Sequence, residues 1–291
     1  MRNILTSNKV MVMTIELSAC LHGFANYTLQ DAIRIAAKLG FKAVDVMAVR
    51  PQLYPEDYTK EEIKKFSELI RSYGLKVAAV ATSDGSPHTS NLTHENERVR
   101  RWKIKHLKSC AELASIMDCN ILVTDTGYSM MHGTPVEKAW EWAKAGLTEV
   151  AKTCNEFGLV IALEAGPGTI VRDSRDTIRI IEEMGLENIR ALLDVGHAMV
   201  TFCDFWRENG PHPVDAIHDL KGYLVHLHVH DNQGLLDQHL VPGTGVIDFE
   251  AIVDALREVG YSGYMALEPN VRDPIKGFKE GKTYLEKFLM R

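Results

Sequence analysis

The residues best suited to chemistry stand at the ends of short apolar runs: LVIALE closes on Glu164, ALLD on Asp194 and GYMALE on Glu268. A carboxylate closing a buried strand is costly unless it is paired, hydrogen-bonded or bound to a cation, and three converging on one place repel one another. A divalent cation removes both problems. The run YLVHLHVHDNQG alternates with period two, so His226, His228 and His230 share one face while Val225, Leu227 and Val229 share the other. With the apolar set turned to a layer of helices, the histidines point inward at successive depths. His228 is then level with the three carboxylates, His226 is a hydrogen-bonded core residue one layer deeper, and His230 lies at the rim. Glu164, Asp194, His228 and Glu268 are therefore the expected ligands of one divalent metal ion, drawn from manganese, cobalt, magnesium and zinc. Three oxygens and one imidazole suit the first three better than a structural zinc site. His197, three residues after Asp194 in ALLDVGHA, falls just beyond its strand on a loop and is expected to contact substrate.

Something must hold these residues together, and the chain carries a repeat that could do so. An amphipathic helix, a glycine or turn residue and a short β-rich run recur in AAKLGFKAVDVM, IRSYGLKVAAVA, ASIMDCNILVTD, CNEFGLVIALEA, EEMGLENIRALLDV and REVGYSGYMALE. Gly40, Gly74, Gly158, Gly185 and Gly260 sit where each helix ends and a left-handed residue is needed. With the N-terminal run and the histidine run, eight strands are expected near 13–19, 43–48, 76–82, 120–125, 159–164, 190–195, 223–230 and 263–268. Eight βα units in 291 residues predict a single (β/α)₈ (TIM) barrel over the whole chain rather than an open doubly wound sheet. No GxGxxG or GxxxxGK[ST] phosphate loop follows an early strand. Catalytic groups of such barrels gather at the C-terminal ends of the strands, so the long stretches 84–97 and 197–221, the second including Trp206, are expected to be active-site loops.

Composition excludes several other classes. With 45% hydrophobic and 25% charged residues the chain is an ordinary globular one. No stretch has the length of apolar sequence that a membrane span needs, and the N-terminus lacks a secretory h-region, which reads as cytoplasmic with no membrane partner. The cysteines, Cys20, Cys110, Cys119, Cys154 and Cys203, are odd in number and have no CxxC spacing, which predicts reduced thiols. A net charge of −6 without a basic block gives no reason to expect nucleic acid.

Four segments resemble the xylose-isomerase-like barrels, a family that includes sugar isomerases, ketose 3-epimerases, inosose dehydratases and metal-dependent apurinic-site endonucleases. They are ALEAG at Glu164, LLDVGH from Asp194 to His197, HLHVHDNQGLLDQHLVPGTGVIDF from His226 to Phe249, and GYSGYMALEP ending at Glu268 and Pro269. The resemblance implies a one-metal site on Glu164, Asp194, His228 and Glu268, with the two glutamates also serving as acid and base. It implies a substrate contact from His197, and His230, Asp237 and His239 are expected substrate contacts beside it. The expected function is then a metal-dependent isomerase or epimerase of a small ketose or keto-polyol, in which Glu164 and Glu268 face each other across the mouth. A small sugar is the expected partner, and a homo-oligomer is compatible with the family. The sequence departs from the family where lysine often replaces His230 and where ketose 3-epimerases carry arginine at Gly234. The alternatives are an inosose-type dehydratase, a non-catalytic sugar-binding barrel and an apurinic-site endonuclease. The last shares the Asp237-x-His239 pair, but takes histidines from strands three and four, where this chain has VAAVATSDG and ILVTDTG, with Asp125 in place of one.

Overall fold

The computed structural model describes residues 14–82, 91–127, 134–203 and 210–291. The expected strands form as β1 (Ile15–Cys20), β2 (Ala43–Met47), β3 (Lys76–Ala81), β4 (Ile121–Thr124), β5 (Val160–Glu164), β6 (Ile189–Asp194), β7 (Leu224–Val229) and β8 (Gly263–Leu267). All pair in parallel and in chain order, and β8 returns to β1 from Ile15 opposite Gly263 to Ala19 opposite Leu267. The sheet is thus closed and has no edge, which makes the chain a single (β/α)₈ barrel.

Helices α1 (Leu29–Lys38), α2 (Lys60–Ser72), α3 (Glu97–Ile116), α4 (Val136–Glu156), α5 (Ser174–Met184), α6 (Val195–Phe202), α7 (Pro213–Asp219), α8 (Phe249–Glu258) and α9 (Pro274–Leu289) surround it. Local sequence sets their limits. At the start of α2, Thr59 accepts from the Glu62 backbone while the Glu62 carboxylate accepts from the Thr59 N–H at 2.8 Å, a reciprocal cap. The five junction glycines named above all take positive φ, as a helix-ending left-handed residue requires.

Two apolar layers result. The larger lies between strands and helices, around Phe24, Phe249 and Phe278. The smaller lies inside the barrel and uses short side chains, among them Ala79, Ala81, Ala162 and Ala266. Small residues there leave room for the polar side chains that share the interior.

One expectation needs correction. The stretch 197–221 is not a plain loop: α6 starts at Val195, directly after β6, and α7 occupies Pro213–Asp219. The reason is Asp194, whose side chain caps α6 by accepting from the His197 N–H at 2.8 Å. Residues 204–209, with Trp206, lie outside the described residues, as do 84–90 of the other expected loop; 91–96 form turns ahead of α3. The cysteines are all free thiols.

Candidate active site

Glu164, Asp194 and Glu268 arrive at the same end of the barrel because each terminates, or directly follows, a parallel strand. All three are buried, as is His228. His228 Nδ1 stands 3.0 Å from Glu164 Oε1 and 3.3 Å from Glu268 Oε2. Potential ligand atoms of Glu164, Asp194 and His228 lie within 4.8 Å of one another. In the closed order β6 and β7 lie between the strands of the two glutamates on one side and β1 to β4 on the other, and the two carboxylates approach the same His228 nitrogen.

These four residues fit a divalent cation. Asp194 Oδ2 is buried with no hydrogen-bond partner, an acceptor left over after Oδ1 has capped α6. Neighbouring ligands of an octahedral cation at about 2.1 Å are about 3 Å apart, the spacing of His228 Nδ1 from the two glutamates. The electrostatics agree. Burial opposes charge on His228, yet Glu268 and Glu164 hold its pKa well above the usual imidazole value. Burial likewise opposes charge on Asp194, and His197 and His230 pull it well below the carboxylate range. The mouth therefore favours positive charge at its centre.

Below this layer is one that sequence reasoning missed. Asp45, in the middle of β2, is fully buried; it accepts from Ser18 Oγ at 2.9 Å and from His226 Nε2 at 2.5 Å. His226 is thus the hydrogen-bonded core residue expected. Asp45 Oδ2 also lies 3.5 Å from His228 Nε2, although the angle is not that of a hydrogen bond. The signal available was a lone acid in the apolar run AVDVM. A second unforeseen neighbour is Cys20, whose thiol donates to Glu268 Oε1 at 3.3 Å. That leaves Oε2 toward His228.

Above the mouth, His197, His230, Asp237 and His239 form a separate cluster whose potential ligand atoms also lie within 4.8 Å of one another, so it too could hold a cation. Asp237 stands 3.3 Å from both His197 Nε2 and His239 Nε2. Against burial, these histidines hold Asp237 below the carboxylate range, and the Asp237 hydrogen bond with the charge of Glu268 pushes His239 up to about 9. His197 sits in the first turn of α6 rather than on a loop. His230, expected at the rim, belongs to this upper cluster but does not line the cavity. It is fully buried, stacked on His239 with ring centroids 3.8 Å apart, and its Nε2 is 3.0 Å from Asp194 Oδ1. Gly196 permits this, because a Cβ there would lie 2.0 Å from the His230 ring.

The loop carrying Asp237 and His239 is organised by a buried carboxylate. Asp231 accepts from the backbone N–H groups of Asn232, Gly243, Gly245 and Ile247 at 2.8 to 3.2 Å. Gly234 has φ +86, and a Cβ on it would meet Cys203 Sγ at 2.9 Å. The absence of an arginine at this position is thus built into the backbone.

A cavity of about 150 Å³ opens over the centre, lined by Glu164, His197, His228, Asp237, His239 and Glu268, among others. Asp125 and His22 also face it, but His230 does not. Among the described residues no helix is long and apolar enough to cross a membrane.

Comparison with known proteins agrees with this fold. The sequence model of a family described as xylose isomerase-like TIM barrel matches residues 33–288. Fructoselysine 3-epimerase of Escherichia coli O157:H7 is 21% identical over 250 residues, 84% of this chain and 87% of that protein. Inosose dehydratase of Geobacillus kaustophilus (strain HTA426) is 23% identical over 297 residues, 91% of this chain and 88% of that one. Among solved structures, a D-tagatose 3-epimerase-like protein superimposes with a TM-score of 0.79 at 23% identity, covering 94% of this chain and 98% of that one.

Proposed function

The chain belongs to the xylose isomerase-like TIM-barrel family, and we propose that it is a divalent-metal-dependent isomerase or epimerase that removes the proton next to the carbonyl of a small ketose or keto-polyol. The observation that carries this reading is the pair Glu164 and Glu268 on either side of His228 Nδ1, both lining one cavity. Glu164, Asp194, His228 and Glu268 would hold the ion, for which manganese, cobalt, magnesium and zinc are the candidates. When bound, a divalent cation supplies the positive charge that stabilises an oxyanion developing at the substrate carbonyl.

The protein residues do the rest. One glutamate takes the proton from one face of the substrate carbon and the other returns a proton to the opposite face. Their environments differ: the Cys20 thiol holds Glu268 Oε1, whereas Glu164 borders His197, whose Nδ1 is 4.0 Å from Glu164 Oε1. His197, Asp237 and His239 line the same cavity and offer donors and an acceptor to substrate hydroxyls. His230 acts from behind, holding His239 by stacking and facing Asp194.

A dehydratase of the inosose type is the second reading, favoured by the similarity to inosose dehydratase along 91% of the chain. It begins with the same proton removal and then expels a hydroxyl. Turnover of ketoses and inososes in deuterated water separates the two. The proposal predicts chelator-sensitive placement of solvent deuterium on the carbon beside the carbonyl, with no change in composition. Loss of a water from the product would establish the dehydratase instead, and product without solvent deuterium would overturn both.

A further inference from the structure

Beside the main cavity lies another of about 290 Å³, walled by the turn after β1 and the turn after β8. The two share one wall residue, His22. The walls are packed directly on each other, since a Cβ on Gly23 would lie 2.6 Å from the Pro269 carbonyl oxygen.

The two cavities have opposite chemistry. The main one presents Asp125, Glu164, Asp237 and Glu268. The annex presents Arg272, Asn26, Asn270 and the His22 ring, and no carboxylate. Arg272, Asn26 and Asn270 are exposed at its opening, and among the described residues the Arg272 guanidinium makes no ion pair or hydrogen bond and neither asparagine side chain is engaged. The adjoining acid, Asp273, is turned to another task, capping α9 by accepting from the Lys276 N–H at 3.1 Å. In a chain of net charge −6, a cavity free of acids beside one lined by four is a selective feature.

Size points the same way. Small-molecule pockets usually start at about 300 Å³. The main cavity falls short of this at about 150 Å³, and the annex beside it, at about 290 Å³, comes close to it.

We infer that the annex is an anion subsite, and that the substrate is a ketose bearing a carboxylate or phosphate remote from its reacting carbonyl. Arg272 receives the anion, and His22, the residue common to both linings, stands between it and the reacting end. A guanidinium is suited to this because its planar fork matches both anions with two parallel hydrogen bonds. The inference rests on the proton-transfer reading for the reacting end of the substrate.

Calorimetric titration of the manganese-loaded full chain with D-fructose, D-fructose 6-phosphate and D-fructuronate tests it, with Arg272→Gln and Arg272→Lys beside the wild type. The wild type should bind at least one anionic ketose about 10-fold or more tightly than D-fructose. Arg272→Gln should abolish that preference while D-fructose binding changes by less than about twofold, and Arg272→Lys should restore part of it. Which anionic ketose gains identifies phosphate or carboxylate. No measurable binding of either anionic ketose, or an undiminished preference in Arg272→Gln, would overturn the inference. Binding is read without turnover, so a failure of deuterium incorporation counts against the proposed reaction and not against the subsite.

Discussion

Two polar layers lie one above the other inside the barrel, built from similar residues but balanced differently. In the lower, a single carboxylate, Asp45, is matched by the Ser18 hydroxyl and the His226 ring, all fully buried. In the upper, Glu164, Asp194 and Glu268 share His228, and one oxygen of Asp194 has no hydrogen-bond partner. The lower layer gives its one carboxylate two partners and leaves only a ring nitrogen, His226 Nδ1, without one, so it belongs to the fold. The upper has an excess of negative charge that the protein alone does not compensate, which is the condition for holding a cation.

This contrast can be broken by stability measurements. Asp45→Asn should cost about 3–5 kcal/mol, because it leaves a buried network with one partner removed. Glu164→Gln, under the same metal-free conditions, should be neutral or stabilising, because it relieves repulsion. Denaturant unfolding with a chelator present checks both. Equal costs for the two would erase the distinction between the layers.

Catalysis should give the reverse order. Glu164→Gln or Glu268→Gln with metal bound should lower kcat by about 10²-fold or more, near 2.7 kcal/mol of barrier. Steady-state kinetics on any ketose that exchanges deuterium provides the check, and a near-wild-type kcat would reduce that glutamate to a ligand. A smaller effect is expected at Asp231, where an amide cannot accept from all four backbone N–H groups. Asp231→Asn should cost about 1–3 kcal/mol. Hydrogen exchange should show the loss confined to the segment carrying Asp237 and His239, and a uniform loss over the barrel would contradict that assignment.

Much of the upper layer was legible in the sequence because a parallel strand buried on both faces advertises its end when a carboxylate interrupts it. Period-two alternation in β7 likewise gave the depth order of His226 and His228. The place of His230 was less legible because it follows the end of β7, where alternation stops and Gly196 decides what fits. Asp45 was passed over because it stands within a strand, and only closure of the barrel brings β2 opposite β7. The helix at 195–202 was hidden because Asp194 both closes a strand and caps a helix, and the first role masks the second. The acid-free annex depends on two turns nearly the whole chain apart, and no local pattern announces it.

The central claim is that the upper layer binds one divalent cation through Glu164, Asp194, His228 and Glu268. Calorimetric titration of chelator-treated protein with manganese tests it most directly, with Asp194→Asn beside the wild type. The account predicts one ion per chain for the wild type and an affinity lower by at least about 100-fold for the variant. A folded wild type that takes up none of manganese, cobalt, magnesium or zinc, or a variant that binds as tightly as the wild type, would contradict it.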